Sequence, residues 1–436
     1  MTFTPLLLVG LMLYGIPLAL ALDSRLRGAT LAGASFLLGA GAAGLHLFVL
    51  SVMRVPWTRT SVILAMLPLF VYGVRRQRLR FPIPREYESG GVASALQDSV
   101  TILFVVAYAI FAIWAPPFEW DFYGIWGLKA HWFYETRGMD WATVPHIGKA
   151  DYPVLMPLLF DFVAVITKEW NDRTFGWIYV GLCASVLAIM RGMFADEVKR
   201  PALATLAIAF PTLNLWIGLA EAGVMAFGCA GLLFIRRGSI GLGAVMLGLA
   251  AWSKNEGLAL IGVSAIALVI TTRSIRKVLQ LWPAIALIAP WMITRAVLKL
   301  STDFTEGSMV KRVFERLGNP SEVVSAFVKA PPDQPWFWLA VLLAVLVFIR
   351  EAIRREAFLL IAVALQLGLM FAQALATTWD FASHVSLTLN RLPHQIAPAA
   401  GFLAVVLLMN VGRGFSPPAP PERRAEATPY VPKPDP

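Results

Sequence analysis

Glu119, Asp121, Lys129, His131, His146, Lys149 and Asp151 fall close together in Trp114–Pro157, an aromatic-rich stretch of an otherwise apolar chain. The triplet Glu119-Trp120-Asp121 carries the sharpest chemistry. Two carboxylates separated by one residue can share a divalent cation, or one can act as a general base. A structural role is also open, because Asp121 can cap a helix beginning at Phe122. That helix, Phe122–Tyr134, is aromatic on several faces and suits the headgroup region of a bilayer. Lys129 and His131 on it read best as solvated surface.

Further polar groups recur at the edges of apolar runs. Ser253-Lys254-Asn255-Glu256-Gly257 interrupts one, and charges there are expensive unless they face a cavity or each other. The segment is either a local ion pair or a cation for an anionic lipid phosphate. Glu221 is a lone carboxylate where another apolar run starts. Trp379–Pro398 brings His384, Arg391 and His394 to the start of the last run. A guanidinium there suits bidentate phosphate recognition, and equally suits an ordinary membrane-interface arginine. No Gly-rich nucleotide loop, H-E-x-x-H or G-x-S-x-G occurs, so nucleotide-driven and serine-hydrolase chemistry are unsupported.

The elements that must position these groups are membrane spans. The chain has 436 residues, 58% of them hydrophobic and 15% charged, with a mean hydropathy of +0.68. Its net charge of +10 sits mostly in short clusters between apolar runs, where it sets orientation and does not point to nucleic acid. Cys183 and Cys229 both lie inside apolar runs, which argues against a disulfide framework. An N-terminal signal peptide is disfavoured because no Lys or Arg precedes Asp23.

The pattern predicts an all-α polytopic membrane protein with about thirteen spans, near 3–22, 29–50, 58–74, 98–115, 174–191, 201–218, 219–235, 238–252, 257–272, 279–296, 336–349, 357–376 and 392–411. Residues 1–97 hold the N-terminal spans and a basic loop, 98–411 the main module with outer loops 116–152 and 297–335, and 412–436 a disordered proline-rich tail. Placing Arg25/Arg27, the run Arg75–Arg85, Lys199/Arg200, Arg236/Arg237, Arg273–Lys277 and Arg350–Arg355 in the cytoplasm puts the chemistry outside. The parity then makes 153–167 a juxtamembrane or re-entrant helix, tolerable only if protein covers it. Within the second outer loop, Ser308–Leu317 is expected as a short amphipathic surface helix.

Together these pieces resemble the polyprenyl-phosphate-dependent glycosyltransferases of the C superfamily (the GT-C fold), which includes protein O-mannosyltransferases and lipid A aminoarabinose transferases. Glu119-Trp120-Asp121 looks like the acidic pair of their first large outer loop. Asp151-Tyr152-Pro153-Val154-Leu155 resembles the stretch that ends this loop in bacterial members. Leu219-Ala220-Glu221-Ala222, Ser253–Leu258 and Ser386–Pro398 are similar to later family segments, with Glu221 replacing the usual Asp. Three spans precede the catalytic-loop span here, where familiar members usually have one. Tyr152 stands where some relatives carry a phosphate-binding lysine, so that role passes to Lys149 or is vacant.

The resemblance implies an enzyme of the bacterial cytoplasmic (inner) membrane with its active site facing the periplasm or exterior. It would transfer a sugar, with inversion, from a polyprenyl-phosphate donor to an acceptor hydroxyl on a glycan, lipid or protein. Asp121 would be the base, with Glu119 catalytic beside it and a divalent cation possible on the two. Lys254, Arg391, Lys149, Glu256, Glu221, His384, Trp126 and Tyr152 would contact substrate. The rival expectation is a transporter or flippase of a lipid-linked sugar, which would need a charged path to the cytoplasm and would suit paired repeats.

Overall fold

Apolar runs with no water to bond their backbone must satisfy it internally, and helices do so. The computed structural model describes residues 4–76, 92–115, 117, 119–213, 218–300 and 308–409. It is 82% helix, without strands among the described residues. The first helices are α1 (Thr4–Leu22), α2 (Gly28–Val52), α3 (Arg59–Arg76) and α4 (Val92–Trp114). The segment after α4 holds a π-helical turn, Phe122–Trp126, continuing into α5 (Gly127–Glu135), followed by α6 (Leu155–Thr167). Next come α7 (Asp172–Glu197), α8 (Pro201–Leu213), α9 (Glu221–Arg236), α10 (Ile240–Ser253) and α11 (Glu256–Thr272). A short α12 (Ile275–Leu279) leads to α13 (Trp282–Val297), and α14 (Met309–Leu317) and α15 (Pro320–Lys329) follow. The chain ends its described part with α16 (Pro335–Val347), α17 (Ile349–Arg355), α18 (Ala357–Ala376), α19 (Phe381–Arg391) and α20 (Ala397–Met409).

All of the predicted spans fall on helices. By length and apolarity, five of the described helices can cross a membrane, or up to seven if two bent helix pairs each count as one. The remainder of the expected thirteen includes α8, α10, α11 and α13, which are apolar but shorter. The perimeter fits a lipid environment. Ile102, Leu103, Ile110 and Phe111 of α4 and Leu342, Leu343 and Leu346 of α16 are exposed, the reverse of a water-soluble surface. The chain is a helical membrane protein.

Small residues set the tightest crossing. A Cβ on Gly15 of α1 would stand 1.8 Å from the Ser35 carbonyl oxygen of α2, and one on Gly39 would stand 1.9 Å from that of Leu11. Backbones approach this closely only where side chains are absent.

The two ends of α9 define the two ends of the bundle. At its C-terminus, Arg236 pairs with Glu197 at the end of α7 and Glu356 before α18, at 2.6 and 2.5 Å. Arg25 and Ser239 meet there too, at 2.9 Å. The predicted basic clusters around residues 25, 199, 236 and 354 therefore share one end. Arg78, Arg80 and Arg85, the Pro-rich tail 412–436 and residues 214–217 and 301–307 lie outside the described residues.

At the opposite end, α6 enters and leaves on the same side. Before it, the Met139 amide donates to Ser51 Oγ at the outer end of α2 (3.0 Å). After it, Arg59 at the start of α3 donates to the Ile166 carbonyl (2.6 Å). Between these anchors Leu155 packs against Gly44 of α2, about 10 Å deeper at 1.5 Å per residue. Leu155–Val165 are all buried, so protein covers the segment as a re-entrant element requires. A reporter fused after Arg173 should therefore read on the opposite side of the membrane from one fused after Lys199. The same reading at both positions would refute this path.

The expected surface helix is α14. Its Ser308 side chain caps Lys311 N at 3.2 Å. Arg312 and Arg316 donate to the carbonyls of Ala376 and Leu375, at 2.8 and 2.6 Å. Those are free C-terminal carbonyls of α18, so one helix caps another.

Candidate functional site

Asp121 does not cap the turn that follows it. Its backbone is already helical and its side chain makes no capping bond, so the carboxylate is available elsewhere. The turn itself is π-helical, closing from the Gly127 amide to the Phe122 carbonyl, a departure often found at functional sites. Asp121 Oδ2 meets Arg391 Nη1 at 2.8 Å. Arg391 Nε lies 3.7 Å from Glu221 Oε1, and the same oxygen accepts from Lys254 Nζ at 2.9 Å. Lys254 also meets Glu256 Oε1 at 3.1 Å. The result is one chain of alternating charge, Asp121–Arg391–Glu221–Lys254–Glu256.

Its members come from distant elements: the exit of α4, the starts of α9 and α11, and the last turn of α19. Burial deepens along it. The Asp121 and Arg391 side chains are 19% and 25% exposed, whereas Glu221 and Lys254 are 3% and 5% exposed. Arg391 Nε and Glu221 Oε2 are buried without a hydrogen-bond partner. The chain thus has an open end at Arg391 and a closed end at Lys254.

Glu119 stands beside this chain. Burial pushes its carboxyl up, Arg391 opposes this, and Asp121 and Glu221 add to it. A divalent cation needs several oxygen ligands. Among the described residues no group of three or more His, Cys, Asp or Glu side chains could hold one, and Asp121 is already paired with a guanidinium. Glu119 and Asp121 are thus not part of a three-ligand side-chain set among the described residues.

The end of the first outer loop forms a second network. Asp151 Oδ2 accepts from Asn255 Nδ2 at 3.3 Å and lies 3.9 Å from Arg295 Nη2. Lys129, expected at a solvated surface, is 1% exposed. Its ammonium group donates to the carbonyls of Lys149 and Tyr152, at 2.5 and 3.3 Å. Lys149 sits in the left-handed region (φ 53°) and places its ammonium 5.8 Å from the Trp379 ring.

Tyr152 stacks on Trp126, with centroids 5.5 Å apart. Burial pushes its phenol up to about 12, so it stays protonated and can only donate or accept neutrally. Trp126 is 0% exposed; the π turn rotates it into the loop's own core, away from any ligand face. Trp120 and Tyr123, at 80% and 52% exposed, are the accessible rings. His384 packs edge-on to Trp379 at 6.0 Å and makes no ion pair with the charge chain among the described residues.

The structure therefore brings together Asp121, Arg391, Glu221, Lys254 and Glu256, with Glu119 and Tyr152 adjacent. Sequence reasoning missed Arg295, whose signal was a lone arginine ending an apolar run, and the buried anchoring role of Lys129.

Burial pulls the Lys129 ammonium down to about 7, with Asp151 opposing. The folded chain releases this proton near pH 7, while the unfolded chain holds it to about pH 10.4. The cost of burying it is full below pH 7 and fades as pH rises from 7 towards 10. Relative to Lys129→Met, wild-type stability should rise between about pH 7 and pH 10. A pH-independent difference between the two melting temperatures would contradict the assignment.

Comparisons with protein families, with characterised proteins and with solved structures give no match to this chain. Its chemistry is read from its own residues.

Proposed function

We propose that this chain is a membrane glycosyltransferase that moves a sugar from a polyprenyl-phosphate donor to an acceptor hydroxyl at the Asp121 end of the bundle. That end faces the periplasm or exterior of a bacterial inner membrane, opposite the basic clusters. The observation carrying this reading is the Asp121–Arg391 pair at 2.8 Å, with Arg391 Nε making no hydrogen bond. A carboxylate of the first outer loop and a guanidinium of the last bent span meet in one place, as the proposed reaction needs.

Without substrate, the Asp121 carboxylate occupies one donor of the guanidinium. A donor phosphate with two oxygens on Arg391, one at Nε, displaces it and leaves Asp121 free to accept a proton. The acceptor oxygen then bonds to the anomeric carbon as the bond from that carbon to the phosphate oxygen breaks. The proton passes to Asp121, and the polyprenyl phosphate leaves with its charge against Arg391. Attack opposite the leaving group inverts the centre.

Lys254 takes a different part from a direct phosphate ligand. Two carboxylates already engage it, so it holds Glu221, and Glu221 in turn orients Arg391. Trp120 and Tyr123, the exposed rings of the loop, would meet sugar or isoprenoid.

The test is chemical. Purified protein supplied with a labelled polyprenyl-phosphate sugar and envelope acceptors should transfer label and release polyprenyl phosphate. Movement of intact lipid-linked sugar across proteoliposomes, with no bond broken, would replace this reading with a flippase.

A further inference from the structure

A concavity of about 410 Å³ lies apart from the charge chain, at the same end of the bundle. It is formed where α2 and α5 stop side by side, and Arg54, Arg137, Asp140 and Trp141 line it. Both helices end in the same way. In α2, Val55 N bonds to the Leu50 carbonyl and Arg54 N to that of Ser51, at 2.8 and 3.0 Å. In α5, Gly138 N bonds to the Phe133 carbonyl and Arg137 N to that of Tyr134, at 2.9 and 3.1 Å. These are two Schellman motifs, and the Trp57 amide locks them together by donating to the Arg137 carbonyl at 2.8 Å.

In such a motif the left-handed position usually holds glycine, because a Cβ there is strained. Here it holds arginine twice, with φ of 57° and 51°. The residue type alone decides nothing, since Lys168 and Arg273 also close helices in this conformation, where a cation complements the helix dipole. The pairing is what differs. Arg54 and Arg137 line one concavity, and neither side chain makes a hydrogen bond or ion pair among the described residues. Asp140, the carboxylate in the wall, is engaged by Thr143 Oγ1 and the Ala142 amide, at 2.5 and 3.2 Å. With Asp140 as the one carboxylate in the wall, the two arginines leave the hollow with a net positive charge, and two guanidinia match the oxygens of a phosphoryl group.

We propose that this concavity binds a phosphoryl group between Arg54 and Arg137, carried by a lipid headgroup or by a free phosphorylated ligand. None of its lining residues belongs to the Asp121–Arg391 network, so it stands independently of the transferase reading.

The experiment uses the full chain in maltoside detergent, which carries no phosphate. Melting temperature is followed with inorganic phosphate, with added phosphatidylglycerol, and with added diacylglycerol as the phosphate-free lipid. One or both phosphate probes should raise it while diacylglycerol does not. A response to phosphatidylglycerol alone identifies a headgroup, and a response to inorganic phosphate identifies a free ligand. Arg54→Gly with Arg137→Gly gives each motif the residue it favours, so the double variant should melt no lower than wild type. Its apparent affinity for the effective probe should nevertheless fall at least about tenfold. No response to either probe in wild type, or an equal response in the double variant, overturns the proposal.

Discussion

Asp121→Asn should lower the turnover number for sugar transfer by about a hundred- to ten-thousand-fold, the range that a positioned general base contributes. Asparagine keeps the shape of the side chain and one oxygen for Arg391 Nη1, but it cannot accept the acceptor's proton. The donor KM should stay near wild type or fall, because Arg391 no longer has to give up a charged partner before it meets phosphate. A purely structural role for Asp121 predicts the opposite division, with binding and folding damaged first. The variant should also remain folded. Its side chain is partly exposed, and Arg391 keeps Glu221 as a neighbour. Near-normal turnover by Asp121→Asn, measured with a labelled polyprenyl-phosphate sugar, would remove the base assignment.

Much of this architecture was legible because membrane spans announce themselves. An apolar run must be long to cross, and basic residues mark one side. The segments around 4–22, 28–52 and 357–376 were readable for that reason. The re-entrant α6 was legible through parity, since an odd number of crossings had to separate two loops. Charges in an apolar chain are expensive, and so Asp121, Glu221, Lys254, Glu256 and Arg391 could be singled out one at a time.

Their partners could not. Arg391 and Asp121 are separated by 270 positions, and Asn255 and Asp151 by 104; only packing decides which cation meets which carboxylate. That choice changed the roles, because it closed Lys254 between two carboxylates and left Arg391 with an open donor. Trp126 and Lys129 failed for a related reason. An aromatic helix can face headgroups or its own loop, and the periodicity was broken by a π turn that no residue in it advertises.

Glu221→Ala should be the most destabilising single change in the site, by about 3–5 kcal/mol, the cost of leaving a buried charge without its partner. One oxygen of Glu221 serves both Lys254 and Arg391, so its loss leaves Lys254 with Glu256 alone and Arg391 with Asp121 alone. Lys254→Met should also destabilise, because it leaves Glu221 facing only the more distant Arg391 and leaves Glu256 without its cation. Combining Glu221→Gln with Lys254→Met removes one charge of each sign together. That double variant should lose clearly less than the sum of the two single changes, since residues in one ion-pair network do not act additively. Melting in detergent, set out as a double-mutant cycle, measures this coupling. Strict additivity would mean that Lys254 and Glu221 are not a buried unit. Glu221→Gln should raise the donor KM more than Lys254→Met does, because Glu221 touches Arg391 and Lys254 acts on it only through Glu221.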